Sequence, residues 1–96
     1  MAHFLVEYRE VGDARTRDAH RVQHIAYRKS LGAGMPLAGP LLDDEGNPVG
    51  SVVILAATDR AEAETIAARD PFVAAGVLEL VLVRGYRIAA MKPPEV

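Results

Sequence analysis

A continuous run of β-prone residues, 50–57, constrains the fold more than any other part of the sequence. Side chains alternate between the two faces of a strand, so Val52 and Ile54 must point one way while Val53 and Leu55 point the other. Both sets are apolar. The run therefore predicts a strand at the centre of a sheet, buried on both faces, because an exposed apolar face of this kind requires a cover.

The segments before this run predict a strand, a helix and a second strand. Residues 3–8 are β-prone, and residues 13–31 contain neither proline nor glycine. Within that helix an apolar stripe at helical spacing is predicted to face the core, and Gly32 and Gly34 end the helix. The stripe consists of Ala19, Val22, Ile25, Ala26 and the aliphatic stem of Lys29. Residues 35–42 hold two prolines, which limits them to a short or edge strand.

The segments after the run predict a helix and a last strand. Thr58 or Asp59 can cap the helix, with Glu62 in the capping-box position after Asp59, and Pro71 ends the helix near Asp70. Residues 72–76 are expected to form a short apolar turn. Residues 77–83 predict the fourth strand, with a bulge or bend near Gly85.

The resulting order, β-α-β-β-α-β, predicts an α+β domain of ferredoxin-like topology. In this architecture both helices cover one face of a four-stranded antiparallel sheet, and residues 1–96 are too few for a second core. The other sheet face stays apolar and uncovered. We therefore expect a homodimer in which a second subunit covers that open face.

The composition excludes several classes of protein. Cysteine is absent, which removes thiolate nucleophiles and thiolate zinc sites, and fits a reducing cytoplasm. The formal net charge is −2, whereas a general nucleic-acid binder needs a basic surplus. The N-terminus reaches Glu7 after a short apolar run, so neither a signal peptide nor a membrane span is expected, and we expect a cytoplasmic protein without nucleic-acid or membrane partners.

One polar face of the first helix collects guanidinium and imidazole groups: Arg17, His20, Arg21, His24, Tyr27 and Arg28. His20 and His24 have the i, i+4 spacing of a metal pair, but no HExxH motif is present and the flanking positive charge opposes a cation. We expect no metal. For His20 a solvated helix face is the simpler interpretation, whereas His24 borders the apolar stripe, where an imidazole could act as acid or base.

Asp70 and Ser51 each allow two interpretations. Asp70 could orient His24, or it could cap the turn that begins at Asp70-Pro71. Ser51 could donate a hydrogen bond to a ligand, or it could simply begin a strand, because no nucleophile-elbow motif surrounds it.

Four short motifs, in this order and spacing, resemble the YCII-related family from Phe4 to about Ile88. They are Arg17 to His24 with Gln23-His24, then Ala38-Gly39-Pro40, then Gly50-Ser51, and finally Asp70-Pro71-Phe72 with Ala75-Gly76-Val77. The resemblance implies the dimeric α+β barrel fold, in which two ferredoxin-like sheets pack face to face. It also implies a His24–Asp70 dyad in a cleft, with Arg17 or Arg21 and Ser51 available to bind substrate.

The resemblance leaves two classes of function open. The first is a cofactor-independent enzyme, a lyase, isomerase or dehydrochlorinase, that uses the dyad for acid/base chemistry on a small cyclic, anionic substrate. The second is a dimeric small-ligand-binding or regulatory module that uses the same cleft without turnover. Haem enzymes share the wider fold, but no axial-ligand motif is evident, and we expect no cofactor.

Overall fold

The predicted central strand forms β3, Pro48–Ala57, and is paired on both sides in the computed structural model, which describes residues 1–94. The other strands are β1, Ala2–Glu10, β2, Leu37–Leu42, and β4, Leu78–Tyr86. All neighbours are antiparallel, in the order β2-β3-β1-β4. The helices are α1, Ala14–Ser30, α2, Arg60–Ala68, and α3, Pro71–Ala74. This architecture confirms the predicted α+β, ferredoxin-like fold.

Local sequence signals explain where the two long helices begin and where α1 ends. The side chain of Asp13 accepts from the backbone N–H of Thr16, and that of Asp59 accepts from Glu62, so each aspartate caps its helix. After α1, Gly32 has a φ of +54°, a left-handed conformation that favours glycine and stops the helix. None of the helices in residues 1–94 is long and apolar enough to cross a membrane.

The core lies on one face of the sheet. Phe4, Val6 and Tyr8 of β1 point to this face, and β3 and β4 add Val53, Leu55 and Val83. From the helices, α2 adds the small side chains of Ala63 and Ala67, and α3 adds Phe72. Because α2 presents alanine to the sheet, it can approach closely, and the OH of Tyr8 donates to the carbonyl of Ala67 at 2.9 Å.

The prediction that the apolar stripe of α1 faces the core is wrong. No residue of α1 is buried, Val22 is 77% exposed, and Ala19, Ile25, Ala26 and Lys29 are exposed as well. The face that approaches the rest of the domain is the polar one. The prediction fails because helical periodicity identifies an apolar stripe but not its partner, and here polar side chains make the contacts that attach the helix.

Two smaller predictions also need correction. Residues 71–74 form the helix α3 instead of a turn, because Pro71 occupies its first position and Asp70 caps it. The strand irregularity lies between Glu7 and Tyr8, where β1 pairs with Leu82 and then with Leu80, and not near Gly85. The extra residue of this bulge is Val81.

The opposite sheet face carries no helix and has an apolar centre, which is bordered by the charged side chains of Arg9, Glu79 and Arg84. Leu5, Val52 and Leu82 are half-buried there, while Ile54 is buried. Glu7 lies among these residues and has no ion pair or hydrogen bond through its side chain within residues 1–94. An apolar face of this kind is typical of a surface that packs against another element.

Gly50 is predicted to be essential for strand pairing. A Cβ atom at this position would lie 2.4 Å from the carbonyl oxygen of Tyr8, a contact that only a backbone shift can relieve. We expect Gly50→Ala to lower the free energy of unfolding by about 1–3 kcal/mol, measured by urea denaturation. Gly85→Ala is the matched control, because a Cβ there meets nothing within 4 Å. Equal stability of both variants would contradict this account of Gly50.

Candidate functional site

A cleft of about 320 Å³ lies between α1 and the sheet. The α1 wall is formed by Arg17, Arg21, His24 and Arg28, which recur every three or four residues and so share one side of the helix. The facing wall comes from β2 and the start of β3, including Gly39, Pro40 and Ser51. The cleft is at the lower end of the size range of ligand sites, about 300–1,000 Å³, and fits a small molecule.

His24 and Asp70 are in direct contact inside this cleft. The imidazole Nδ1 lies 2.8 Å from Oδ1 and 2.9 Å from Oδ2 of Asp70. The ring also stacks on Phe72, with centroids 3.9 Å apart and planes 7° from parallel. A carboxylate only accepts, so Nδ1 carries the hydrogen, and Nε2 is left without a partner among the described residues. His24 is 17% exposed and lines the cleft.

The Asp70 carboxylate contacts both His24 and the backbone of α3. Its Oδ1 accepts from the backbone N–H of Phe72 at 2.9 Å, which caps α3, and the same carboxylate accepts from His24. The side chain is 1% exposed. Asp70 therefore follows the end of α2 directly and at the same time begins the short helix α3.

Arg28 is a site residue that the sequence interpretation did not select. Its Nε donates to Oδ2 of Asp70 at 2.9 Å and its Nη1 donates to Oγ of Ser51 at 3.0 Å. The guanidinium carbon lies 5.2 Å from the centre of the Tyr8 ring. The sequence did contain a signal for Arg28, because this residue follows His24 by one helical turn on the same polar stripe.

These contacts determine the charge state of Asp70. Burial alone would raise the pKa of the carboxyl group. The hydrogen bonds from His24 and Phe72 and the charges of His24 and Arg28 outweigh burial and hold the pKa of Asp70 below its ordinary value of 3.8. Asp70 is therefore ionised at neutral pH. For Tyr8, in contrast, burial raises the pKa of the hydroxyl above its ordinary value, so the phenol stays protonated and can donate a hydrogen bond.

The remaining predicted residues have different surroundings. Arg17 forms an ion pair with Glu10, another cleft residue that the sequence interpretation missed. Arg21 lines the cleft and has no ion-pair or hydrogen-bond partner within residues 1–94. Ser51 is 7% exposed and sits beside Arg28 and the carbonyl of Gly39. His20 is outside the cleft, where its Nδ1 lies 3.0 Å from the carbonyl of Thr16.

Comparisons with known proteins agree with this fold. The sequence profile of the YCII-related domain matches residues 1–87. A solved structure of 5-chloro-2-hydroxyhydroquinone dehydrochlorinase (TftG) from Burkholderia phenoliruptrix AC1100, in complex with 2,5-dihydroxybenzoquinone, superposes with a TM-score of 0.63. The two sequences are 25% identical, and the match covers 88% of this chain and 91% of that one. No curated protein sequence matches significantly.

Replacing Asp70 is expected to destabilise the protein strongly. Asp70→Asn removes the negative charge opposite Arg28, whose side chain is only 14% exposed, and we expect a loss of about 3 kcal/mol in the free energy of unfolding. Chemical denaturation at neutral pH measures this loss. The control is Asp44→Asn, an exposed carboxylate in the turn between β2 and β3, which should leave stability within about 0.5 kcal/mol of wild type.

The same contacts predict an acid-sensitive contribution to stability. The pKa of Asp70 is lower in the folded protein than its ordinary value of 3.8. The contribution of Asp70 to the free energy of unfolding is therefore fully present well above pH 3.8. It is lost as the pH falls through the folded-state pKa. Wild type should therefore lose more stability than Asp70→Asn between pH 5 and 2 in urea titrations. Asp13 and Asp43 also have lowered pKa values but are common to both proteins, and parallel curves would contradict the prediction.

Proposed function

Because the chain belongs to the YCII-related family, we propose that it is a cofactor-independent enzyme that performs acid/base chemistry on a small cyclic, anionic substrate. The proposed reaction class is that of a lyase, an isomerase or a dehydrochlorinase. The dehydrochlorinase TftG supports this class, since its fold is shared over most of both chains. A common fold does not determine chemistry, so the proposal depends on the cleft itself.

The observation that carries the proposal is the orientation of His24. Asp70 holds Nδ1, Phe72 holds the plane of the ring, and Nε2 is left to exchange a proton with a molecule in the cleft. A carboxylate that fixes the tautomer of an imidazole is the usual arrangement for a general base. In the proposed reaction His24 removes a proton from the substrate, and Asp70 stabilises the imidazolium that results.

The other proposed roles concern binding. The guanidiniums of Arg17 or Arg21 would attract the anionic group of the substrate, and the hydroxyl of Ser51 would help to orient it. Arg28 acts as a positioning residue, because it holds Asp70 and Ser51 together. None of these roles requires a metal or an organic cofactor.

One observation favours a second candidate, a ligand-binding module without turnover. The contacts of Asp70 also attach α1 to the rest of the domain, so the dyad has a structural use that is independent of catalysis. In this case ligand would raise the melting temperature by mass action, and no product would form. We regard this as the alternative.

We also propose that the protein is a homodimer through the open sheet face, and that it acts in the cytoplasm. The half-buried Leu5, Val52 and Leu82 support the dimer, because a second copy of the same face would remove them from water. For the cytoplasm, the support is a chain without cysteine, which has no disulfide to lose in a reducing compartment.

The enzyme proposal predicts that His24 is required for turnover. In a screen of small cyclic acids, lactones and halogenated phenols, stabilising compounds are found by thermal shift and their conversion is followed by mass spectrometry. We expect His24→Gln to fold and to lose at least about 100-fold in rate, the usual contribution of a general base. His20→Gln is the matched control, on the same helix but outside the cleft. Full turnover by His24→Gln would exclude the mechanism.

The dimer proposal predicts a change of mass on replacing one apolar residue. Leu82→Glu places a carboxylate opposite Glu7 on the open face, and we expect it to convert the dimer to a monomer in sedimentation equilibrium. Val22→Glu is the control, because Val22 is exposed on the outer side of α1. Circular dichroism checks that both variants are folded. A wild-type protein of monomer mass would refute the dimer.

A further inference from the structure

The guanidiniums that line the cleft differ in how their charge is compensated. Arg28 is paired with Asp70, and Arg17 is paired with Glu10. Arg21 lies between them on the same stripe and has no carboxylate partner within residues 1–94. The cleft therefore contains one uncompensated positive charge, and this charge lies one helical turn before His24.

We propose that Arg21 determines the substrate class of this cleft: a small ring that carries a single anionic group, bound at Arg21 while another ring atom faces Nε2 of His24. This inference rests on the proposed small-molecule function and specifies which arginine holds the anion. A guanidinium without a carboxylate partner donates two parallel hydrogen bonds to a carboxylate, so a carboxylate is the best match for Arg21.

Glu10 limits the number of charges that the ligand carries. Its side chain is 15% exposed, it lines the cleft, and its carboxylate already compensates Arg17. A second anionic group at this end of the cleft would meet a like charge and would have to break the Glu10–Arg17 pair. A hydroxyl group, in contrast, can donate to the Glu10 carboxylate without disturbing the pair. The cleft thus favours a monoanion over a dianion.

The opposite wall explains the preference for a ring. Ala38, Gly39 and Pro40 of β2 carry no charge and no side-chain hydrogen-bonding group, and Gly39 has no Cβ to occupy the cleft. An uncharged, apolar wall therefore faces the helix stripe across the cleft. A planar ring can lie against this wall while its polar substituents face Arg21 and Glu10 on the other side.

The test uses three probes of similar shape, namely benzoate, its neutral analogue benzamide, and the dianion isophthalate, titrated calorimetrically into wild type and variants. We expect benzoate to bind wild type, and Arg21→Gln to weaken this binding by about 10- to 100-fold. Benzamide should bind wild type and Arg21→Gln equally weakly. Arg15→Gln is the matched control, because Arg15 lies on the same helix, is exposed and does not line the cleft.

The dianion tests the role of Glu10. Isophthalate should bind wild type no more tightly than benzoate, and Glu10→Gln should improve its affinity relative to benzoate, because that variant removes the like charge and releases Arg17. The proposal is overturned if Arg21→Gln binds benzoate like wild type, if isophthalate binds wild type more tightly than benzoate, or if benzoate fails to bind wild type at about 10 mM.

These results separate the inference from the enzyme proposal, because binding is measured without turnover. Arg21-dependent binding of benzoate together with a His24-independent conversion in the substrate screen would sustain the role of Arg21 and end the acid/base mechanism. Conversion that requires His24, with a KM for an anionic substrate that Arg21→Gln leaves unchanged, would sustain the acid/base mechanism and overturn the role of Arg21.

Discussion

The buried carboxylate of Asp70 is the interaction on which the rest of this structure depends. It joins three parts of the chain, because it accepts from His24 and Arg28 of α1, caps α3 through Phe72, and sits next to the end of α2. Burying an ionised group at 1% exposure is unfavourable unless every oxygen is satisfied, and here both oxygens accept hydrogen bonds from charged or backbone donors. The position of α1, and with it the width of the cleft, therefore depends on this side chain together with the other polar contacts of the helix.

The consequence is a helix attached through polar side chains instead of apolar ones. α1 buries no residue, and it is connected to the domain by His24 and Arg28 at Asp70, by Tyr27 at the carbonyl of Ile66, and by Arg17 at Glu10. Apolar packing between α1 and the sheet would close the space that forms the cleft. Polar contacts near both ends of α1 leave a cavity between the helix and the sheet. The lack of apolar packing under α1 reduces the core, and it is also what leaves room for a candidate site.

Most of the fold could be predicted from the sequence, whereas the details of the site could not. The β-branched run of β3, the caps Asp13 and Asp59 and the glycine after α1 are local signals, and each of them corresponds to an element of the structure. The orientation of α1 depends on its partner, which lies 42 to 46 residues away in sequence at Asp70. Helical periodicity therefore predicted that the apolar stripe of α1 faces the core, although its residues are exposed in the structure. The ion pair of Glu10 with Arg17 was not predicted, because the expected first strand covered residues 3–8 and Glu10 lay beyond it.

Because the same contacts support the fold and line the cleft, His24 and Asp70 are not equivalent probes of function. Loss of the Asp70 carboxylate leaves the charge of Arg28 uncompensated, so a decline in activity would not distinguish misfolding from lost chemistry. Replacing His24 is more informative. Asp70 then keeps Arg28 and the backbone N–H of Phe72, and a glutamine amide at position 24 is a suitable donor for the same carboxylate. The attachment of α1 is preserved while the imidazole Nε2 is removed, so the effect of this substitution on turnover reports on proton transfer and not on the attachment of the helix.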